Sequence, residues 1–76
     1  MKQTLGEYRV GIDFNPSQDD LVGRIKRASA DLIDLIDQVP DGSDVAPDRK
    51  RLKAKAMTGV EEAAMWGVKA ATKPKP

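Results

Sequence analysis

Residues 14–39 read FNPSQDDLVGRIKRASADLIDLIDQV, and this stretch decides the fold. Its apolar side chains recur at alternating steps of four and three positions, which is the spacing of one face of an α-helix. The members of this stripe are Leu21, Ile25, Ala28, Leu32, Leu35 and Val39, and it is widened by Val22, Ile33 and Ile36. A single partner helix cannot cover an apolar face of that width. The pattern therefore predicts an amphipathic helix with more than one neighbour.

Turn residues bound this helix on both sides. The residue before Pro16 is disfavoured in helical angles, so the helix begins after it. Ser17 and Asp20 then resemble a capping box at a helix start. Residues 40–43 read PDGS, a turn signal that ends the helix. We predict helix A over residues 17–39.

A second helix, helix B, is predicted over residues 47–71. Pro47 suits its first turn, because the missing N–H costs nothing there. Two apolar stripes run along it at helical spacing. One contains Leu52, Ala56, Gly59, Ala63, Trp66 and Ala70, and the other contains Met57, Val60, Ala64, Val68 and Ala71. Two stripes again imply contact with more than the partner helix of a hairpin.

Charge is segregated along the chain in a way that favours a hairpin. Residues 28–48 contain six aspartates and no base, whereas eight bases and two acids follow from Arg49 onward. Folding the chain about a turn near Ser43 brings the two halves together with opposite charges facing each other. Asp34 and Asp37 then lie across from Arg49, Lys50 and Lys53, and Arg24, Lys26 and Arg27 lie across from Glu61 and Glu62. The charges predict antiparallel helices A and B.

The segments before helix A and after helix B lack the apolar periodicity of the two helices. Residues 1–13 contain two glycines and no helical period, so we predict an extended N-terminal arm there. Residues 72–76 read TKPKP and predict a flexible tail. We therefore expect one all-α domain over residues 1–76, an antiparallel two-helix hairpin with an extended N-terminal arm, assembled into a helical homo-oligomer.

Composition excludes several classes of function. The chain has 76 residues, and a monomer of that size buries only about 60% of its unfolded surface, so it usually needs an additional stabilising device. There is no Cys and no His, which removes disulfides, thiolate metal sites and the commonest general base. Oligomerisation is the stabilising device that remains. We expect a protein that is not an enzyme and that has no metal and no cofactor.

Charge and hydropathy limit the partners and the cell compartment that we expect. The net charge is +1, which is too small to capture long nucleic acid, so no DNA or RNA polymer is expected as a partner. No apolar run approaches the roughly 20 residues of a membrane span, so no membrane is expected either. We predict a cytoplasmic protein.

The residues with most chemical interest lie around the start of helix A. Tyr8, Phe14 and Asn15 lie ahead of the helix, and Lys26 follows about two turns into it. Aromatic faces stack on nucleobases, and a lysine ammonium binds phosphate as a point charge. On chemistry alone a structural interpretation is favoured, in which Phe14 packs onto helix A and Lys26 pairs with Glu62.

A resemblance to a known family favours a ligand-binding role for these residues over a structural one. The string FNPSQDDLVGRIKRASADLIDLID, followed by a turn and AMTGVEEAAMWGVKAATKP, resembles the hairpin domain of bacteriophage anti-CBASS cyclic-nucleotide sponges. The same domain occurs in an anti-Thoeris sponge family. The pieces that carry the resemblance over residues 14–74 are an aromatic-x-Pro before helix A, an IK pair within it, and E-A-x-M-W-x-x-K-A in helix B.

The resemblance implies a function, an assembly and a site. Members of the family form homohexamers whose pockets bind cyclic dinucleotides, and some have separate sites for cyclic trinucleotides. They keep the host's antiviral effector inactive by sequestering its signal, and they do not hydrolyse it. Carried over to this chain, the base-stacking aromatic matches Phe14 and the phosphate-binding lysine matches Lys26, with Asn15 as a further candidate. The family's aromatic is commonly Tyr, so Tyr8 is the other candidate for the stacking role.

Two other interpretations remain open from the sequence. One is an oligomeric regulator that binds a protein partner through its helical faces. The other is a small nucleic-acid-binding protein that uses helix B, whose affinity would fall steeply with salt.

Overall fold

The structure is a computed structural model that describes residues 2–76, and Met1, part of the predicted arm, lies outside the described residues. It contains three helices, α1 (Leu5–Val10), α2 (Asp20–Asp37) and α3 (Arg49–Thr72), and no β-strand within residues 2–76. The all-helical fold class is confirmed. None of the helices in this part of the chain is long and apolar enough to cross a bilayer.

The predicted extended arm is wrong, because residues 5–10 form α1. Thr4 and Glu7 make a complete capping box, in which the Thr4 side chain accepts from the Glu7 N–H and the Glu7 carboxylate accepts from the Thr4 N–H. Gly11 ends the helix in a left-handed conformation with φ of 64°. A helix of six residues has fewer than two turns, so it is too short to produce a readable apolar period.

Helix A begins three residues later than predicted and ends two residues earlier. Asp19, and not Ser17, is the residue that caps α2, because its carboxylate accepts the Leu21 N–H at 2.9 Å. The Ser17 hydroxyl instead donates to the side-chain oxygen of Asn15, 2.8 Å away. Gln18 adopts a positive φ of 54°, which no α-helix accommodates. Helix B is observed as α3, shifted by two residues at its start and one at its end.

The helices α2 and α3 form an antiparallel hairpin. At the turn end, the Lys53 ammonium lies 3.6 Å from the carboxylates of both Asp37 and Asp41. At the other end, α3 approaches α2 so closely that a Cβ on Gly67 would lie 3.3 Å from Ile25. Low-numbered residues of one helix therefore meet high-numbered residues of the other. The predicted hairpin is confirmed.

The core is not built on the main predicted stripe of helix A. It uses Val22 and Ile33, which widened that stripe, and one of the two predicted stripes of helix B. On α2 the buried residues are Val22, Lys26, Ala30 and Ile33. On α3 they are Met57 and Ala64, both from the second predicted stripe. The main predicted stripe of helix A and the first stripe of helix B are largely exposed to solvent. Their large exposed members are Leu21, Leu32, Leu35 and Val39 in the former and Leu52 and Trp66 in the latter.

Helix α1 lies mainly against α2 and closes the hairpin on one side. Gly6 sits directly on the backbone of Ala30, and its N–H donates to the Asp34 carboxylate at 2.7 Å. Two ion pairs extend this contact: Glu7 with Arg27 at 2.8 Å, and Arg9 with Glu61 of α3 at 2.6 Å. The predicted pairing of Arg27 with the glutamates of helix B is therefore not observed.

The molecule is flat. Its principal dimensions are 51 × 32 × 12 Å, so it is one layer of helices thick. The radius of gyration is 14.4 Å, against about 11 Å for a compact domain of this length. A single layer leaves each helix with an uncovered face, which explains why the apolar core is small.

Candidate functional site

The loop between α1 and α2, residues 11–19, is held by its own polar groups. The Phe14 N–H donates to the Gly11 carbonyl at 3.0 Å and closes a turn. The Asn15 side chain then joins the loop to the start of α2: its amide nitrogen donates to the Asp19 carbonyl at 3.0 Å, while its oxygen accepts from the Ser17 hydroxyl. The loop is thereby ordered around an aromatic residue.

Lys26 is the buried charge beneath this loop. Its exposed fraction is 7%, and its ammonium donates to the backbone carbonyls of Gly11, at 2.9 Å, and Phe14. None of the ion pairs within residues 2–76 involves Lys26, so the carboxylate partner expected from the charge pattern, Glu62, does not neutralise it. Carbonyl dipoles solvate the ammonium without cancelling its charge. The site therefore keeps one net positive charge in a buried position.

Phe14 presents an aromatic face beside that cation. Its exposed fraction is 72%, and the Lys26 nitrogen lies 5.4 Å from the centre of its ring. An apolar ring of this size is normally buried, because burial stabilises it by about 1.5–3 kcal/mol. Here hydrogen bonds in the loop keep it at the surface.

A cavity of about 210 Å³ lies between this ring and the hairpin. Its walls include Phe14, Asn15, Val22, Lys26 and Val68, and Lys26 is the one charged residue among those that line it. Three of the four predicted site residues, Phe14, Asn15 and Lys26, thus meet around one cavity. An aromatic face, an apolar wall and a single cation suit a flat ring that carries an anionic group.

A second, larger cavity of about 360 Å³ also has Lys26 in its lining. Arg9 and Lys26 bring two positive charges to its lining, and Glu61 and Glu62 bring two negative ones. The ion pair between Arg9 and Glu61 spans part of it. Two carboxylates line this cavity and none lines the smaller one, so an anion is less favoured here.

Tyr8, the fourth predicted site residue, is not at either of these two cavities. It lies on α1 with an exposed fraction of 74% and lines neither of them.

Gly11, whose carbonyl accepts a hydrogen bond from the Lys26 ammonium, was not predicted as a site residue. The signal was present in Thr4, Glu7 and Gly11, which together read as a helix start and stop.

Metal binding has little support in this part of the molecule. Within residues 2–76, no three side chains of the metal-binding types lie close enough together to hold an ion. The chemistry available at the loop is therefore recognition by charge, hydrogen bonding and stacking.

Comparison with known proteins gives one match. The family model described as Acb2/Tad1, hairpin domain, matches residues 7–72, which span the end of α1, the loop with Phe14, α2 and α3. No curated protein and no solved structure matches the chain. The match covers most of the chain, and the chain therefore belongs to the Acb2/Tad1 hairpin-domain family, the anti-CBASS and anti-Thoeris sponges.

Proposed function

We propose that this chain binds cyclic dinucleotides in the host cytoplasm and sequesters them, so that host CBASS antiviral effectors are not activated. Family membership supports the general role of a phage sponge for cyclic-nucleotide signals. The observation that carries the proposal for this chain is the buried, uncompensated ammonium of Lys26 beside the exposed ring of Phe14.

The ammonium suits a phosphodiester. Burying a charge is unfavourable unless it is paired, so a buried cation without a carboxylate is stabilised when an anion binds. A lysine ammonium has three N–H donors, and the carbonyls of Gly11 and Phe14 accept two of them. One donor and the full charge remain for a phosphate oxygen. A charge-assisted hydrogen bond of this kind contributes about 1.5–3 kcal/mol.

The Phe14 ring suits a nucleobase. Stacking of a base on an aromatic side chain contributes about 1–3 kcal/mol. The ring is exposed and adjoins the cavity that contains Lys26, so a base on the ring and its phosphate at the ammonium belong to one ligand. Asn15 shapes this cavity through its hydrogen bonds to the loop.

A cyclic dinucleotide also explains why the site needs a second copy of the chain. Such a ligand has two bases and two phosphates, whereas one chain provides one ring and one cation of this kind around the cavity. Two copies placed face to face provide both. We therefore propose a homo-oligomer, with the homohexamer that the family resemblance implies as the expected state.

The uncovered apolar faces support that assembly. Leu21, Leu32 and Leu35 on α2, and Leu52 and Trp66 on α3, are exposed in the single chain. A flat molecule with apolar residues on its open faces is stabilised when further copies cover them. Cyclic trinucleotides are a second ligand class that follows from the resemblance, and they belong in the same binding panel.

Sequestration is tested by protection of a CBASS effector. The protein is mixed with a cyclic dinucleotide at a molar excess of sites, the effector is added, and its activity is measured. We expect an inactive effector, and full activity after the protein is denatured by heat and removed, because a sponge releases intact ligand. An effector that stays active at excess protein would contradict the proposal, as would a released ligand that has been cleaved. An effector that is inactivated because the protein binds the effector itself, with no binding of the cyclic dinucleotide, would indicate the alternative, a regulator with a protein partner.

A further inference from the structure

Lys26 does more in this structure than present a charge. Its ammonium joins the carbonyl of Gly11, where α1 ends, to the carbonyl of Phe14, three residues later. These two groups bracket the turn from which the aromatic ring projects. The ring itself has few apolar neighbours, as its exposure shows, so packing does not fix its position.

We infer that Lys26 is the positioning residue for the stacking ring of Phe14. The inference rests on the proposed function, because the ring matters only if a base stacks on it. The carbonyl and the ring belong to the same residue, so holding the carbonyl limits the rotation of the backbone that aims the ring. The 5.4 Å separation of the ammonium from the ring centre adds a cation–π contact to the same restraint.

The rest of the loop shows why this restraint is needed. Asn15 ties the second half of the loop to α2 through Asp19, and Gly11 marks the end of α1. Between these two fixed points, the Ile12 N–H donates to the Glu7 carbonyl, the Phe14 N–H donates to the Gly11 carbonyl, and the Asp13 carboxylate accepts from the Gln3 side chain. None of these three hydrogen bonds involves the Phe14 carbonyl. Without the ammonium, the Phe14 carbonyl loses its donor, whereas the Gly11 carbonyl keeps only the Phe14 N–H. The turn then shifts so that water can reach the Phe14 carbonyl. The ring then has to be ordered again each time a ligand binds, which lowers affinity.

The inference makes charge recognition and stacking one coupled unit. If Lys26 only touched a phosphate, its removal and the removal of the Phe14 ring would weaken binding independently. If Lys26 also aims the ring, much of the stacking contribution is already lost when the ammonium is gone. Such non-additivity is what a double-mutant cycle measures.

The first test is a cycle of Lys26→Met and Phe14→Ala, with cyclic di-GMP and cyclic di-AMP as the titrated probes. Lys26→Met keeps the apolar stem and removes the donors. In the parent, Phe14→Ala should weaken binding roughly 5- to 150-fold, the equivalent of about 1–3 kcal/mol. In the Lys26→Met background the same change should have a clearly smaller effect. Equal fold-changes in both backgrounds would overturn the inference. Lys75→Met, which removes a charge near the C-terminus, is the matched control and should leave the Phe14 effect unchanged.

The second test needs no ligand and separates this inference from the proposed function. Amide hydrogen exchange is measured on the ligand-free parent and on Lys26→Met, and the Phe14 amide is compared with amides in the middle of α3. A positioning role predicts faster exchange at Phe14 with α3 nearly unchanged. Unchanged exchange at Phe14, or an equal acceleration throughout the chain, would refute it. If no cyclic dinucleotide binds the parent, the proposed function fails, and this exchange comparison still decides whether Lys26 holds the ring.

Discussion

Replacing Gly6 by alanine is expected to detach α1 from the hairpin. A Cβ at this position would lie 2.0 Å from the carbonyl oxygen of Ala30, and within 2.9 Å of two further backbone atoms of the same residue. Backbone atoms within a helix cannot move aside as a flexible side chain can. The short helix must therefore retreat, and the hydrogen bond from Gly6 to the Asp34 carboxylate is lost with it.

Three contributions determine how much Gly6→Ala changes the free energy of unfolding. Overpacking costs about 1–3 kcal/mol. The lost hydrogen bond to a charged acceptor costs about 1.5–3 kcal/mol. Alanine gains about 1 kcal/mol over glycine from helix propensity. The net loss is about 1.5–5 kcal/mol, and each kcal/mol lowers the melting temperature of a domain this small by about 4–8 °C.

Thermal unfolding followed by circular dichroism, at one fixed protein concentration, measures this change. Gly23→Ala is the matched control, because Gly23 lies within α2 and its Cβ would meet only the Asn15 side chain, at an ordinary contact distance of 3.9 Å. It should raise the stability by up to about 1 kcal/mol. A Gly6→Ala variant that melts at or above the parent temperature would show that the close approach of α1 to Ala30 is not how the protein packs.

Three further predictions address the loop and the capping of α1. Phe14→Ala should weaken cyclic-dinucleotide binding by roughly 5- to 150-fold through lost stacking, whereas Tyr8→Ala should leave it unchanged, and the opposite result in isothermal titration would move the stacking role to Tyr8. Asn15→Ala should destabilise the fold by about 1–3 kcal/mol, because the Asp19 carbonyl and the Ser17 hydroxyl each lose a hydrogen bond, and an unchanged urea midpoint would argue against this clamp. Hydrogen bonds from the Thr4 backbone N–H and from Arg27 lower the pKa of Glu7 below its ordinary value of 4.5. Its ionised form therefore stabilises the fold above pH 4.5, and that contribution should disappear as the pH falls through the lowered pKa. Stability measured against pH should fall less for Glu7→Gln than for the parent in this range, and parallel curves would contradict the assignment.

The sequence predicted the hairpin because the signals for α2 and α3 are long and redundant. Each helix has several turns of apolar period, and the facing charges, such as Asp37 and Lys53, agree with the observed packing. Which of the two apolar stripes of α3 is buried could not be predicted from the sequence in the same way. Both stripes of α3 have helical spacing, and only the contact with α2, where Met57 and Ala64 are buried, distinguishes them.

The sequence was less informative about the site, for a different physical reason. Lys26 was matched with glutamates because side-chain charges are visible in a sequence, whereas its actual partners are backbone carbonyls that every residue possesses. Their position depends on the end of α1 at Gly11, in a segment predicted to be extended. The bounds of α2 were missed for a related reason, since Ser17 hydrogen-bonds within the loop and leaves the cap to Asp19.

Isothermal titration measures whether the buried ammonium beside Phe14 binds the phosphate of a cyclic nucleotide. Parent, Lys26→Met and Lys75→Met proteins are titrated with a panel of cyclic di- and trinucleotides at one ionic strength. We predict that the parent and Lys75→Met bind a cyclic dinucleotide with equal affinity, and that Lys26→Met binds it more weakly, by roughly 10-fold or more. Equal affinity of Lys26→Met and the parent for every ligand, or no binding by the parent, would contradict this prediction.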